Sequence, residues 1–330
     1  MNFQLPRVTI AVPTLNRLDL LRIALASALS QTYSNLQVIV GDNASTDGTA
    51  EFVSSLDDLR LLSLRHDTNL GMVGNWNACL DRAEGEFFLL LSDDDYLEPL
   101  AIEKLVTAIL EAPDANRIGV AYCRTREVDR DGHPQRIDPI PPPYENAKDF
   151  AIEYFRGRRK MHPCSTLLRT DDLRAIGGYQ QGEVVLAIDA MVWSRILLRR
   201  GMIAAVPNTL SNYRIHPGSE TSSQKINIWR SDIAALTGLW AAAFDDAEPS
   251  LRREFQRAAA HYRSWELAAI INQSAKSLGA TVRSIRLYCE CREEFGGLVG
   301  FKNLAGGLMK LFTPEFFKRP IRKILVASAR

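Results

Sequence analysis

Between Val8 and Cys123, short apolar runs rich in β-branched residues alternate with stretches whose apolar positions recur every three or four residues. Val8 to Val12 predicts a strand that stops at Pro13, because proline has no N–H to give a central ladder. Leu18, Leu21, Leu25 and Leu29 then fall on one face of a helix predicted over 18–30. A second strand over 36–40 is closed by Gly41-Asp42-Asn43-Ala44-Ser45-Thr46-Asp47-Gly48, residues that turn chains and cap helices. A helix over 49–55 and a strand over 59–64 follow, and Asn69-Leu70-Gly71 predicts a turn into a helix reaching Leu80. This alternation predicts an α/β sheet, mostly parallel, with helices on both faces. Right-handed crossovers then gather the loops after the strands on one sheet edge, bringing Pro13, Asp42 and Asp93 to Asp95 into one crevice.

The pattern is sharpest at Phe87-Phe88-Leu89-Leu90-Leu91-Ser92-Asp93-Asp94-Asp95, where five large apolar residues run into three carboxylates. The apolar run has the length of a strand buried on both faces. Adjacent charges cannot stay in that core without a large desolvation cost, so they mark the strand's carboxyl end, where open α/β sheets bind ligands. Neighbouring carboxylates repel one another. Either a divalent cation relieves them, for which hard oxygen ligands suit Mg²⁺ or Mn²⁺, or the cluster is a solvated turn before a helix predicted over 99–111.

Beyond a strand predicted over 118–123 the rhythm changes. Asp129 to Gly132 predicts a hairpin turn, Pro139 to Pro143 a loop and 146–157 a helix. Gly177-Gly178-Tyr179 predicts a turn, and 188–200 a helix with Asp189 in its first turn. A short strand is expected over 202–206, a loop over 212–219, and helices from Ser223 to the end.

Composition narrows the reading. With 40 basic and 39 acidic residues, nothing in the overall charge points to nucleic acid. The last stretch differs: Gly296 to Arg330 holds seven Lys/Arg and one Glu. Five cysteines without metal-site spacing read as reduced thiols in a cytoplasmic protein. No apolar run has the length of a bilayer span, and no signal peptide precedes the first strand. Neither G-x-G-x-x-G nor a Walker-type loop is present, so a bound diphosphate would need a metal bridge in place of a glycine cradle.

The opening VTIAVPTLNRLDLLRIALASALSQTYSNLQVIVGDNASTDGT is similar to that of family-two glycosyltransferases with the type A fold. NLGMVGNWNACLDRAEGEFFLLLSDDDYLEP, LRAIGGY and YRIHPGSETS follow in that family's order, so the resemblance spans roughly residues 7–220. It implies a mostly parallel Rossmann-like sheet flanked by helices, in a catalytic domain over 1–222. That domain would hold a nucleotide-sugar half over about 1–124 and an acceptor half over about 125–222, with a helical C-terminal region over 223–330. It further implies that Pro13, Thr14, Arg17, Asp42, Asn75 and Asp93 lie along a nucleotide-sugar donor. Asp94, Asp95 and His216 would hold Mn²⁺ or Mg²⁺, and Asp189 would act as the base of an inverting transfer. The family's acidic motif reads Asp-x-Asp-Asp; Ser92 stands at its first position here.

Each role has a plainer rival. Asp42 could cap the following helix, Asp189 could serve its helix dipole, His216 could order its loop, and Arg17 could be a solvated helix-start residue. The reading is a transferase acting on a glycan or lipid-linked acceptor in surface polysaccharide synthesis, with a UDP-sugar as the usual donor of the family. A non-catalytic nucleotide-sugar binder or scaffold is the alternative. In the tail, Leu298, Phe301, Leu304, Leu308 and Leu311 share a stripe flanked by lysines, which suits either a helix in a lipid interface or packing on the protein or on a second subunit.

Overall fold

The computed structural model describes residues 5–180, 182, 184–216 and 226–274. The strands are β1 (Val8–Thr14), β2 (Leu36–Asp42), β3 (Leu61–Arg65), β4 (Phe87–Leu90), β5 (Tyr96–Leu97), β6 (Ile118–Val128), β7 (Pro134–Ile137), β8 (Tyr144–Asn146), β9 (Thr166–Arg169) and β10 (Met202–Arg214). They form one sheet in the order β3-β2-β1-β4-β9-β6-β10-β5, with β7 on β6 and β8 on β10. β1 to β4 are mutually parallel, as are β6 and β10. β9 enters between β4 and β6 antiparallel to both, so the sheet is mixed although most of its paired length is parallel. Because β9 reverses between them, β4 and β6 point the same way, and their carboxyl ends share an edge.

The helices of this part are α1 (Leu18–Leu29), α2 (Thr49–Ser54), α3 (Gly71–Asp81), α4 (Ala101–Leu110), α5 (Ala147–Phe155), α6 (Thr170–Ala175) and α7 (Ile188–Arg200). One core lies between the sheet and the inner faces of α1 and α4. Val8, Ile10 and Val12, alternate residues of β1, meet Leu21 and Leu25 of α1 and Leu105 of α4 in it. Such alternation puts Thr9 on the opposite face, where its hydroxyl donates to Gln37 Oε1 at 2.6 Å.

The chain divides into compact units over 1–223 and 224–330. In the second, α8 (Ile226–Ala243) and α9 (Pro249–Ser274) are described. Trp240, Phe244 and Phe255 are buried there, and the two phenylalanine rings stack at 4.4 Å. The expected tail stripe from Leu298 onward, with Cys289 and Cys291, lies outside the described residues. Cys79, Cys123 and Cys164 are free thiols and buried. Among the described residues no helix is long and apolar enough to cross a membrane.

β6 continues past Cys123 to Val128, and two other strand ends depart from expectation at prolines. β1 runs through Pro13 to Thr14: β4 pairs with β1 only as far as Ala11, so at Pro13 the strand's ladder is with β2 alone. β10 runs eight residues past Val206, because the register with β6 shifts between Val206 and Thr209 and the irregularity absorbs Pro207. Asn212, Tyr213 and Arg214, expected in a loop, therefore lie in a strand that reaches the same edge as the end of β4.

Candidate active site

After Leu90 the chain leaves the sheet. Leu91 is still fully buried and its N–H reaches Ala11 O at 2.9 Å. Ser92 to Asp95 then form a turn closed by Asp95 N–H on Ser92 O at 3.1 Å. The three carboxylates diverge from this turn into different surroundings.

Asp93 is 5% exposed. Its Oδ2 accepts from the Thr14 hydroxyl at 2.8 Å and its Oδ1 from the Arg17 guanidinium at 3.1 Å. Burial and then the Asp94 charge push its pKa up to about 6, against the pull of Arg17 and Thr14. Asp94 Oδ2 meets both Arg17 Nη1 at 3.2 Å and His216 Nε2 at 3.0 Å. Asp95 is almost wholly enclosed: Oδ1 accepts the Arg214 N–H at 2.9 Å, and its Cys164-facing side has no nitrogen or oxygen partner. Burial, then Asp94, raises its pKa well above the usual carboxylate range. Of the three expected metal ligands, the structure thus brings Asp94 and His216 together and commits Asp95 to the backbone of β10.

Arg214 was not anticipated from the sequence. It is 5% exposed, donates from Nε to Asp94 O at 2.9 Å and from Nη1 to Arg130 O at 2.6 Å, and lies over the Tyr96 ring. Its position two before His216 was the available signal: a strand carrying His216 to Asp94 must also place residue 214 against the acidic turn.

On the other side of β1, Asp42 ends β2 at 1% exposure. Its Oδ1 accepts the Ser45 N–H at 2.9 Å, while buried Oδ2 has no hydrogen-bond partner and only Arg65 Nε at 3.9 Å. Asp42 does not cap the next helix; Gly48 stands at its N-cap, and Asp47 just before it accepts from the Thr49 N–H and hydroxyl. Asn75 is fully engaged at home: Nδ2 donates to Gly41 O at 2.7 Å and Oδ1 lies 3.0 Å from His66 Nε2. A Cβ at Gly41 would stand 2.6 Å from that same Oδ1, so only glycine lets α3 come this close to β2.

Asp189, in the first turn of α7, lines a small cleft with Leu90, Thr166, Leu168, Tyr179 and Trp193. It keeps some accessible surface at the mouth, yet apolar atoms surround the carboxyl, and burial pushes its pKa up to about 6 against the Ala190 N–H. Leu90 joins this cleft to the end of β4. The Gly-Gly-Tyr turn before it is fixed to α3 by Asn77, whose amide accepts from Tyr179 N–H at 2.9 Å and donates to Tyr179 O at 2.7 Å. Trp76 meets the Tyr179 ring edge-on at 5.1 Å.

The description "Glycosyl transferase family 2" matches residues 9–176, half of the chain. The chain belongs to glycosyltransferase family 2. A Campylobacter jejuni family relative, GalNAc(5)-diNAcBac-PP-undecaprenol beta-1,3-glucosyltransferase, is 38% identical over 105 residues, 31% of this chain and 34% of that protein's length. The fold is similar to that of Staphylococcus aureus TarS residues 1–349, solved with UDP-GlcNAc, at TM-score 0.59 and 17% identity over 91% of this chain and 92% of that one. The mannosyltransferase PcManGT of Pyrobaculum calidifontis, solved with GDP-Man and Mn²⁺, aligns at TM-score 0.54 and 21% identity over 94% and 88%. The type A fold expected from the sequence is the fold observed.

Proposed function

We propose that this chain is a metal-dependent, inverting glycosyltransferase. It would move a sugar from a nucleoside-diphosphate donor, a UDP-sugar, to a hydroxyl of a glycan or lipid-linked acceptor in surface polysaccharide synthesis. The observation that carries the reading is the convergence of Asp94, His216 and Arg17 within 3.2 Å of one carboxylate oxygen, at the sheet edge that also holds Asp42. A carboxylate and an imidazole meeting at one point fit Mn²⁺ or Mg²⁺, and Asp94 and His216 would hold it. When bound, that ion supplies Lewis-acid neutralisation of the departing diphosphate.

The chain's own groups do the rest. Asp42 Oδ2, a buried acceptor without a donor, suits an N–H on the edge of the base. Thr14, Asp93 and Pro13 line the path from there to the acidic turn, and Asn75 acts from behind by fixing Gly41. Arg17 adds a fixed positive charge where the diphosphate charge grows. Asp189 accepts the proton of the attacking hydroxyl, and a single displacement from the far face inverts the anomeric centre. Its apolar cleft lifts its basicity toward the working pH. The relative's undecaprenol-linked substrate supports a lipid-linked acceptor at the cytoplasmic face of a membrane, where the basic tail would meet anionic lipid.

The deciding experiment is transfer and slow hydrolysis of a panel of UDP-, GDP- and dTDP-sugars, with Mn²⁺ or with EDTA. UDP-sugar turnover that needs the metal is expected. Turnover undiminished in EDTA overturns metal dependence, and binding without hydrolysis or transfer leaves a nucleotide-sugar binder.

A further inference from the structure

Away from the acidic turn, a second group of ligating side chains converges where β6 ends. Glu127 belongs to β6, Asp138 directly follows β7, and His162 precedes the short 3₁₀ turn Pro163–Ser165. Each offers a ligand atom, and these atoms all lie within 4.8 Å of one another. Asp138 is 3% exposed, and neither of its carboxylate oxygens has a hydrogen-bond partner. His162 Nε2 also lacks a hydrogen bond and stands 3.8 Å from Asp138 Oδ2. A buried carboxylate without a donor carries an uncompensated desolvation cost, so such oxygens are normally matched by a protein group, an ordered water or an ion.

The group is preset for a cation. His162 lies beside Asp138 and presents Nε2 toward it. Its ring stacks on Tyr213 at 4.4 Å, which holds the plane of the imidazole. Arg136 donates to Glu127 Oε1, and Lys160 Nζ lies 3.5 Å from the same atom. Their side chains are 46% and 24% exposed, so both have water to move into. With them withdrawn, two carboxylates and a neutral imidazole balance a divalent ion.

We propose that Glu127, Asp138 and His162 form a divalent-cation site of the Zn²⁺ class, distinct from the one at Asp94 and His216. One imidazole with two carboxylates is a borderline ligand set, and three protein ligands leave a position for water. The ion would tie the end of β6, the chain after β7 and the approach to β9 into one block. Through Tyr213 that block adjoins Arg214, which holds the Asp94 carbonyl.

The test uses metal-stripped full-length protein carrying Asp94→Asn, so that the donor site does not contribute, and Zn²⁺ alone as the probe. Equilibrium dialysis with elemental analysis should show tight Zn²⁺ retention, accompanied by a rise in thermal midpoint. Adding Asp138→Asn or His162→Gln should weaken retention by at least about 100-fold, as expected for loss of a direct ligand. His133→Ala, in the exposed Asp129-Asp131-His133 turn, should leave it unchanged. If Asp138→Asn does not fold, His162→Gln decides. The proposal is overturned if Zn²⁺ is not retained, if both ligand variants retain it equally, or if only His133→Ala loses it.

Discussion

His216 Nε2 lies 3.0 Å from Asp94 Oδ2, a contact between residues 122 positions apart. It exists because β10 passes through Pro207 without ending and delivers the chain to the acidic turn. Asp94→Asn and His216→Ala are each expected to reduce transfer, Asp94→Asn by about 10²–10³-fold, the scale of a lost transition-state charge partner. Circular dichroism should be unchanged. Full activity in Asp94→Asn would remove this residue from the mechanism.

Asp189→Asn is expected to lower kcat by about 10²–10⁴-fold while donor affinity, read by calorimetry, holds. In the wild type, kcat at saturating donor should fall as pH drops below about 6, where Asp189 takes up its proton. Loss of donor binding in the variant would instead make Asp189 part of the donor site.

The same residue should show itself in stability with the opposite sense. Its folded pKa of about 6 lies above the ordinary carboxylate value, so the fold favours the protonated form. That contribution is complete below about pH 4, the unfolded value, and is lost as pH rises through 6. Asp189→Asn should therefore be more stable than wild type at pH 8, by about 1 kcal/mol once its partial exposure is allowed for, and no more stable at pH 4. Thermal melts at the two pH values check the sign.

Arg17 touches Asp93 and Asp94 together, a fixed cation beside two carboxylates. Arg17→Ala should cost about 1–2 kcal/mol in metal-free protein, since the pair is only partly screened. Added Mn²⁺ should then raise the melting midpoint more than it does in wild type. An equal metal response in both proteins would show that the guanidinium and the ion do not share those oxygens.

Arg214→Ala strips the donors from Asp94 O and Arg130 O. Asp94 is half-buried and Arg130 exposed, so losing both donors predicts a loss of about 1–2 kcal/mol by denaturant titration. Arg214→Lys, which cannot span both, should recover only part.

Much of the first half of the fold was legible in the residues, because α1, α3 and β1 to β4 carry strong periodicity and distinct turn chemistry. β9 was not: four residues in mid-sheet, three of them buried, have neither alternation nor length. β10 was truncated in the reading because a proline argues against a central strand unless the register shifts around it. In the site, the acidic turn announced itself through the clash of apolar run and charge. The division of labour within it did not, since Asp93, Asp94 and Asp95 differ only in partners drawn from β1, the residue before α1, and β10 with the residues just after it. Asn75 shows the same limit from the other side: the residue was readable, but its engagement with Gly41 and His66 was not.

Asn77 grips Tyr179 by the N–H and the carbonyl of its main chain, across 102 positions. Such a grip is indifferent to the side chain at 179 and depends only on the amide at 77. The stretch leading from Tyr179 toward Asp189 can therefore drift in sequence, and with it the shape of the proposed acceptor side, while its root stays pinned to α3. Asn77→Asp would set an oxygen against the Tyr179 carbonyl and release that root. Diversification of acceptor preference in this scaffold is thus expected to proceed around residue 77 and not through it.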